Sequence, residues 1–164
     1  MKVLLSRDAI RTRIEEMGRE IAKDYEGKQP HMVGVLKGAC TFMTDLIRTI
    51  DLPLSLDYIA VSSYGAATKS SGEVRLVKDL DQGLEGRDLL VVEDIVDTGL
   101  TLNYLVNVLR ARGPRSVKVA ALLSKPSRRV NALFRSLSTP CAGEGARYNR
   151  ASAWRPCDEG VAFP

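Results

Sequence analysis

Between Leu89 and Leu102 the chain reads LLVVEDIVDTGLTL. Glu93 and Asp94 directly follow four apolar residues, Asp97 comes three positions later, and Thr98, Gly99, Leu100 and Thr101 open an amphipathic segment. Carboxylates this closely spaced repel one another unless positive charge sits among them. A Thr-Gly loop at a helix N-terminus turns backbone N–H groups and hydroxyls toward one point, and proteins hold phosphates in that way. Acidic residues beside such a cradle suit Mg²⁺ or sugar hydroxyls, since Mg²⁺ prefers oxygen ligands that it shares with substrate phosphates. The plainer alternative is a solvated acidic turn; the buried strand in front and the Thr-Gly run behind weigh against it. Neither a Gly-x4-Gly-Lys loop nor a dinucleotide fingerprint is present.

The elements that must position these residues can be read from the periodicity. Ile10, Ile14, Met17 and Ile21 fall four, three and four residues apart, one face of a helix that Ser6 can cap. HMVGVL after Pro30 reads as a buried strand, and CTFMTDLIRTI as a helix with Phe42, Leu46, Ile47 and Ile50 on one stripe. LSLDYIAVSS and VRLVKDL are strands on either side of the small, polar stretch YGAATKSSGE. After a turn at EGRD come the strand LLVVED, the helix LTLNYLVNVLRARG stopped by Gly113-Pro114, and the strand SVKVAALLSKP. Strands alternating with helices, and strands that are apolar almost throughout, imply an α/β fold: a parallel sheet flanked by helices on both faces. Such sheets bind ligands beyond the carboxyl ends of their strands. Three polar clusters occupy such ends, at Lys37-Gly38, at Glu93 to Thr101 and at Lys125, and they are expected to converge.

The 164 residues suffice for one domain with a single core. No apolar run reaches the roughly 18 residues needed to cross a bilayer, and the N-terminal stretch MKVLLSRDAIRTRIEE lacks the apolar core of a signal peptide. The expectation is a soluble, cytoplasmic protein with no membrane partner. The net charge of +4 is too mild, and basic residues too scattered, to imply a nucleic-acid partner. Three cysteines without close spacing suggest neither a disulfide framework nor a zinc site, and a single histidine, His31, excludes a multi-histidine metal site.

VVEDIVDTGLTL resembles the phosphoribosyl-diphosphate (PRPP) binding motif of the type I phosphoribosyltransferases, in the form carried by the hypoxanthine-guanine branch. GVLKGA is similar to that family's diphosphate loop, SSYG to the start of its mobile lid, and LLSKP to the strand bearing its purine-contacting lysine. These motifs stand in family order and cover residues 1–130, the expected core domain. The resemblance implies transfer of a phosphoribosyl group from PRPP to hypoxanthine or guanine, with Mg²⁺ as cofactor and a homodimer or homotetramer as the assembly.

Carried over residue by residue, the resemblance has Glu93 and Asp94 hold the ribose hydroxyls directly or through the metal. Asp97 is the candidate general base near purine N7, and Thr98, Gly99, Leu100 and Thr101 cradle the 5′-phosphate. Lys37 and Gly38 meet the diphosphate through a loop that carries a non-proline cis peptide in the family, here Leu36-Lys37. Ser63 and Tyr64 face the diphosphate when a lid over residues 62–73 closes, and Lys125 donates to purine O6. For Lys37-Gly38 the plainer reading is an ordinary turn, for residues 62–73 a surface loop, and for Lys125 a strand-end lysine whose stem covers apolar surface.

From Asn131 onward the resemblance stops. The family continues with a V-x-Y-x-G-F-x-I-P type segment whose aromatic residue stacks on the purine. The last 34 residues here contain no lysine, four arginines and six alanines, and sustain neither a helix nor a strand period. Phe134, Tyr148, Trp154 and Asp158 therefore receive no role, and residues 131–164 form a divergent tail, either translated out of frame or a lineage-specific replacement. Two further readings of the chain follow: a PRPP-sensing regulator that binds nucleic acid, and an inactive product of an altered reading frame.

Overall fold

The computed structural model describes residues 5–63, 74–124 and 138–140. Helix α1 (Arg7–Asp24) starts where Ser6, in an extended conformation, accepts a hydrogen bond from the Ala9 N–H at 3.1 Å. Ile14, Met17 and Ile21, on the stripe read from the sequence, are buried. Strand β1 (His31–Leu36), helix α2 (Ala39–Ile47) and strand β2 (Ser55–Ser63) follow, then β3 (Val74–Lys78), β4 (Asp88–Val96), α3 (Leu100–Arg110), β5 (Ser116–Ser124) and β6 (Ser138–Pro140). Among the described residues no helix is long and apolar enough to cross a membrane.

These strands form one sheet in the order β3-β2-β1-β4-β5-β6. Side chains alternate across it, so each face builds its own core. Val33, Val35, Leu89, Val91, Val117 and Val119 pack with Leu102, Leu105, Val106 and Leu109 of α3. On the other face Met32, Leu90, Val92 and Ala120 meet Ile14, Met17 and Ile21 of α1 and Phe42, Met43 and Leu46 of α2. At roughly 25 cal/mol per Å² of apolar surface removed from water, these two layers are the main favourable contribution to folding.

Three features depart from the sequence reading. The sheet is not wholly parallel, since β3 runs antiparallel to β2 along the edge. Only ten residues separate the two strands, too few for a crossover helix, so the chain returns beside β2 in the opposite sense. Strand β4 runs two residues beyond Asp94, because Ile95 and Val96 pair with Leu123 and Ser124 of β5. The tail, which shows no strand period, supplies β6, parallel to β5 with Ala121 opposite Ser138 and Ser124 opposite Pro140. Three residues are too short to leave an alternation in the sequence.

Buried polar groups tie the amino-terminal side of the sheet. Asp57 accepts from the N–H groups of Tyr58 (2.6 Å) and Asp81 (2.7 Å) and from Lys78 Nζ (3.4 Å). Burial pushes its carboxyl up, but these donors outweigh burial and hold it below the ordinary aspartate value. Asp88 accepts from Arg115 Nη2 at 2.6 Å and from the Ser116 hydroxyl at 2.7 Å, which fastens the start of β4 to β5.

Candidate active site

The strand order reverses between β1 and β4. The chain proceeds from β1 to β2 on one side and from β4 to β5 on the other, while β1 and β4 are parallel neighbours from His31↔Leu89 to Gly34↔Val92. The connections leaving their carboxyl ends must diverge, one into α2 on one face and one into α3 on the opposite face. A crevice remains between them, which is where α/β sheets bind ligands.

Both helices begin at that crevice, so the positive ends of two helix dipoles border it. Their N-caps are glycines, Gly38 and Gly99, with no side chain to satisfy the first-turn N–H groups. Gly99 has φ 84°, a left-handed conformation that glycine adopts without steric cost. Through it the chain turns from β4 into α3 within three residues, Asp97 to Gly99. The Leu100 N–H reaches the Thr98 hydroxyl only at 3.4 Å.

A cavity of about 230 Å³ opens at the α3 side of the crevice. Val35 and Leu36 of β1, Val61 of β2 and Glu93, Ile95 and Val96 of β4 line it, with Asp97, Thr98, Gly99, Thr101 and Leu102. Most of the acidic strand-end residues read from the sequence thus share one hollow. Asp94 does not line it. Its carboxylate accepts the Ile95 N–H at 2.8 Å and lies against Gly38, where a Cβ would stand 2.6 Å from Oδ2. The side chain of Leu100 is half exposed, so the backbone is what that position offers the crevice.

The remaining candidates divide by position. The Leu36-Lys37 peptide is cis, as the resemblance implies, and Lys37 is exposed beyond it. Ser63 is the last residue of β2, opposite Val74. Tyr64 and Lys125 lie outside the described residues, so two of the three polar clusters, Lys37-Gly38 and Glu93 to Thr101, are seen to meet. Lys125 follows Ser124, the register partner of Val96. Sequence reasoning missed the apolar wall of Val35, Val61 and Leu102, and also the contact between Gly38 and Asp94. No local signal marks either, since each joins segments far apart in the chain.

The electrostatics suit a cation. Burial first, and then the neighbouring Asp94 carboxylate, push the Glu93 carboxyl up to about 8. A buried carboxyl raised this far beside a second carboxylate fits a hard divalent ion, whose charge would offset the burial of the charged form. Among the described residues no group of three or more His, Cys, Asp or Glu forms a closed cage. Mg²⁺ characteristically takes one or two carboxylates and completes its shell with substrate oxygens and water.

Switch-point crevice, helix N-termini without side-chain caps and adjacent carboxylates together define an α/β domain with a crevice at its strand ends, where such sheets bind ligands. The chain belongs to the phosphoribosyl transferase domain family, whose model matches residues 3–141. It is 53% identical over 128 residues to the bifunctional protein TilS/HprT of Listeria monocytogenes serotype 4b, a match covering 78% of this chain and 20% of that protein. The chain therefore spans about a fifth of the length of that relative. It is 52% identical over 153 residues to the hypoxanthine-guanine phosphoribosyltransferase of Bacillus subtilis, covering 90% of this chain and 85% of that one. The crystal structure of a hypoxanthine phosphoribosyltransferase from Staphylococcus aureus superposes with a TM-score of 0.79 at 41% identity, covering 85% of this chain and 76% of that one.

Proposed function

We propose that this chain transfers the 5-phosphoribosyl group of PRPP to hypoxanthine or guanine, giving the nucleoside monophosphate and diphosphate. The observation that carries the reading is the hollow at the β1/β4 switch point, where Glu93, Asp97, Thr98, Gly99 and Thr101 face one volume. The resemblance of each motif to the hypoxanthine-guanine branch supports it.

Each residue then has a physical task. The N–H groups at the start of α3, with the hydroxyls of Thr98 and Thr101, receive the 5′-phosphate, and the helix dipole favours its charge. Glu93 and Asp94 orient the ribose through its hydroxyls. As the bond to diphosphate lengthens, the sugar becomes cationic, and carboxylates fixed nearby stabilise it. Asp97, beside the 5′-phosphate cradle, accepts the purine proton at N7. Lys37 and Gly38, at the head of α2, bind the departing diphosphate, and Lys125 donates to purine O6. Mg²⁺, held by Glu93 and Asp94 when bound, supplies charge neutralisation for the diphosphate.

The test is formation of inosine monophosphate from hypoxanthine and PRPP in the presence of Mg²⁺, followed by ultraviolet absorbance. No product above the uncatalysed rate, with the chain shown to be folded, would remove the assignment.

A further inference from the structure

Gly38 needs no glycine for its own conformation. It sits at φ −56° and ψ −45°, ordinary right-handed helical values, at the head of α2 and on the surface. Any L residue adopts that conformation, and alanine favours helix over glycine. What a side chain would meet there is Asp94: a Cβ would stand 2.6 Å from Oδ2, 2.7 Å from Oδ1 and 2.8 Å from Cγ. Asp94 Oδ1 also accepts the Ile95 N–H at 2.8 Å.

We propose that Gly38 is a positioning residue for Asp94: the missing Cβ lets the head of α2 close onto the Asp94 carboxylate and hold it where the ribose binds. The inference rests on the PRPP site proposed above. Glycine at this position thus couples the diphosphate loop after β1 to the acidic end of β4, two segments on neighbouring strands. A methyl group would force the carboxylate off its Ile95 anchor and out of the crevice, with the backbone of α2 unchanged.

A double-variant cycle tests this, with PRPP titrated in Mg²⁺ by calorimetry and thermal unfolding recorded for each chain. Gly38→Ala and Asp94→Ala should each weaken PRPP by roughly ten- to a hundredfold, the range for losing a hydrogen bond to a charged group. Gly38→Ala should keep or raise the midpoint of thermal unfolding, because it restricts the unfolded chain at a position whose native backbone alanine accepts. Once Asp94 is alanine, no carboxylate remains for the Cβ to displace. The double variant should then bind no more weakly than Asp94→Ala alone. Additive losses would overturn the inference, because the glycine would then act through the loop's own contact with diphosphate. So would a Gly38→Ala chain that binds PRPP like the parent, or one that unfolds well below it. A folded parent chain that does not bind PRPP overturns the site assignment instead, and the inference with it.

Discussion

Gly34 of β1 and Val92 of β4 are register partners on neighbouring parallel strands, at the seam where the strand order reverses. Everything proposed for the site hangs from that pair: two residues beyond Gly34 lies Leu36, and directly after Val92 comes Glu93. Gly34 also lets the rest of the fold close, since a Cβ there would stand 2.8 Å from the Tyr58 ring and 2.9 Å from Met43 Sδ. Gly34→Ala should cost about 1–3 kcal/mol through overpacking, read as a lower urea midpoint at unchanged slope. An unchanged midpoint would mean that Tyr58 and Met43 move aside freely.

Asp97 is predicted to carry the purine proton. Asp97→Asn should leave PRPP affinity nearly intact while turnover falls by roughly two to four orders of magnitude. Near-normal turnover would take Asp97 out of the mechanism.

The adjacent carboxylates predict a metal requirement in binding, ahead of any chemistry. PRPP should bind more weakly in EDTA than in Mg²⁺, and Asp94→Ala should shrink that difference. Equal affinities for the parent chain under both conditions would count against Glu93 and Asp94 as metal ligands.

His31 predicts a pH dependence of folding. The ring is 1% exposed, with Nδ1 2.7 Å from the Ser55 hydroxyl and 3.3 Å from Arg87 Nη1. Burial and the Arg87 charge lower its pKa from 6.5, against a smaller opposing pull from Asp57. In the unfolded chain the ring takes up its proton near the ordinary value, and in the folded chain only at lower pH. Between the two the unfolded chain binds more protons, so stability is full above the unfolded value and falls as pH drops below it. Urea unfolding at pH 7 and about 5.5 should show this loss, and His31→Asn should reduce it. Identical pH dependence in both chains would exclude His31 as its source.

Residues 131–164 predict uneven substrate affinity. The motifs proposed for the ribose, phosphate and diphosphate precede Val130, and no V-x-Y-x-G-F-x-I-P stretch of the kind expected to stack the purine follows it in the sequence. Stacking a base on an aromatic side chain is worth roughly 1–3 kcal/mol. The chain should bind Mg²⁺ and PRPP more nearly as its relatives do than it binds purine. Grafting a V-x-Y-x-G-F-x-I-P segment and the rest of that C-terminus after Arg129 should restore purine affinity in calorimetry. Equal purine affinity of parent and graft would show that the tail builds a purine pocket of its own.

The sequence alone determined what local interactions decide. Ser6 and the four-three-four spacing set α1, because a helix bonds each N–H to a carbonyl four residues back and its cap acts within one turn. Pro30 in front and the change to Lys37-Gly38 behind bounded β1. The order of acids, threonines and glycine around Asp97 marked the α3 end of the crevice, because one strand end and the helix after it hold all of them. The tertiary structure decided the rest. A strand bonds to another segment, so its direction, length and register depend on a partner elsewhere in the chain. That is why β3 reverses beside β2, why β4 runs on to Val96 against β5, and why three residues of the tail become β6. It is also why Asp94, next to Glu93 in sequence, lies outside the cavity that Glu93 lines and rests against Gly38: successive strand residues alternate faces, and only the packing of α2 determines what each face meets.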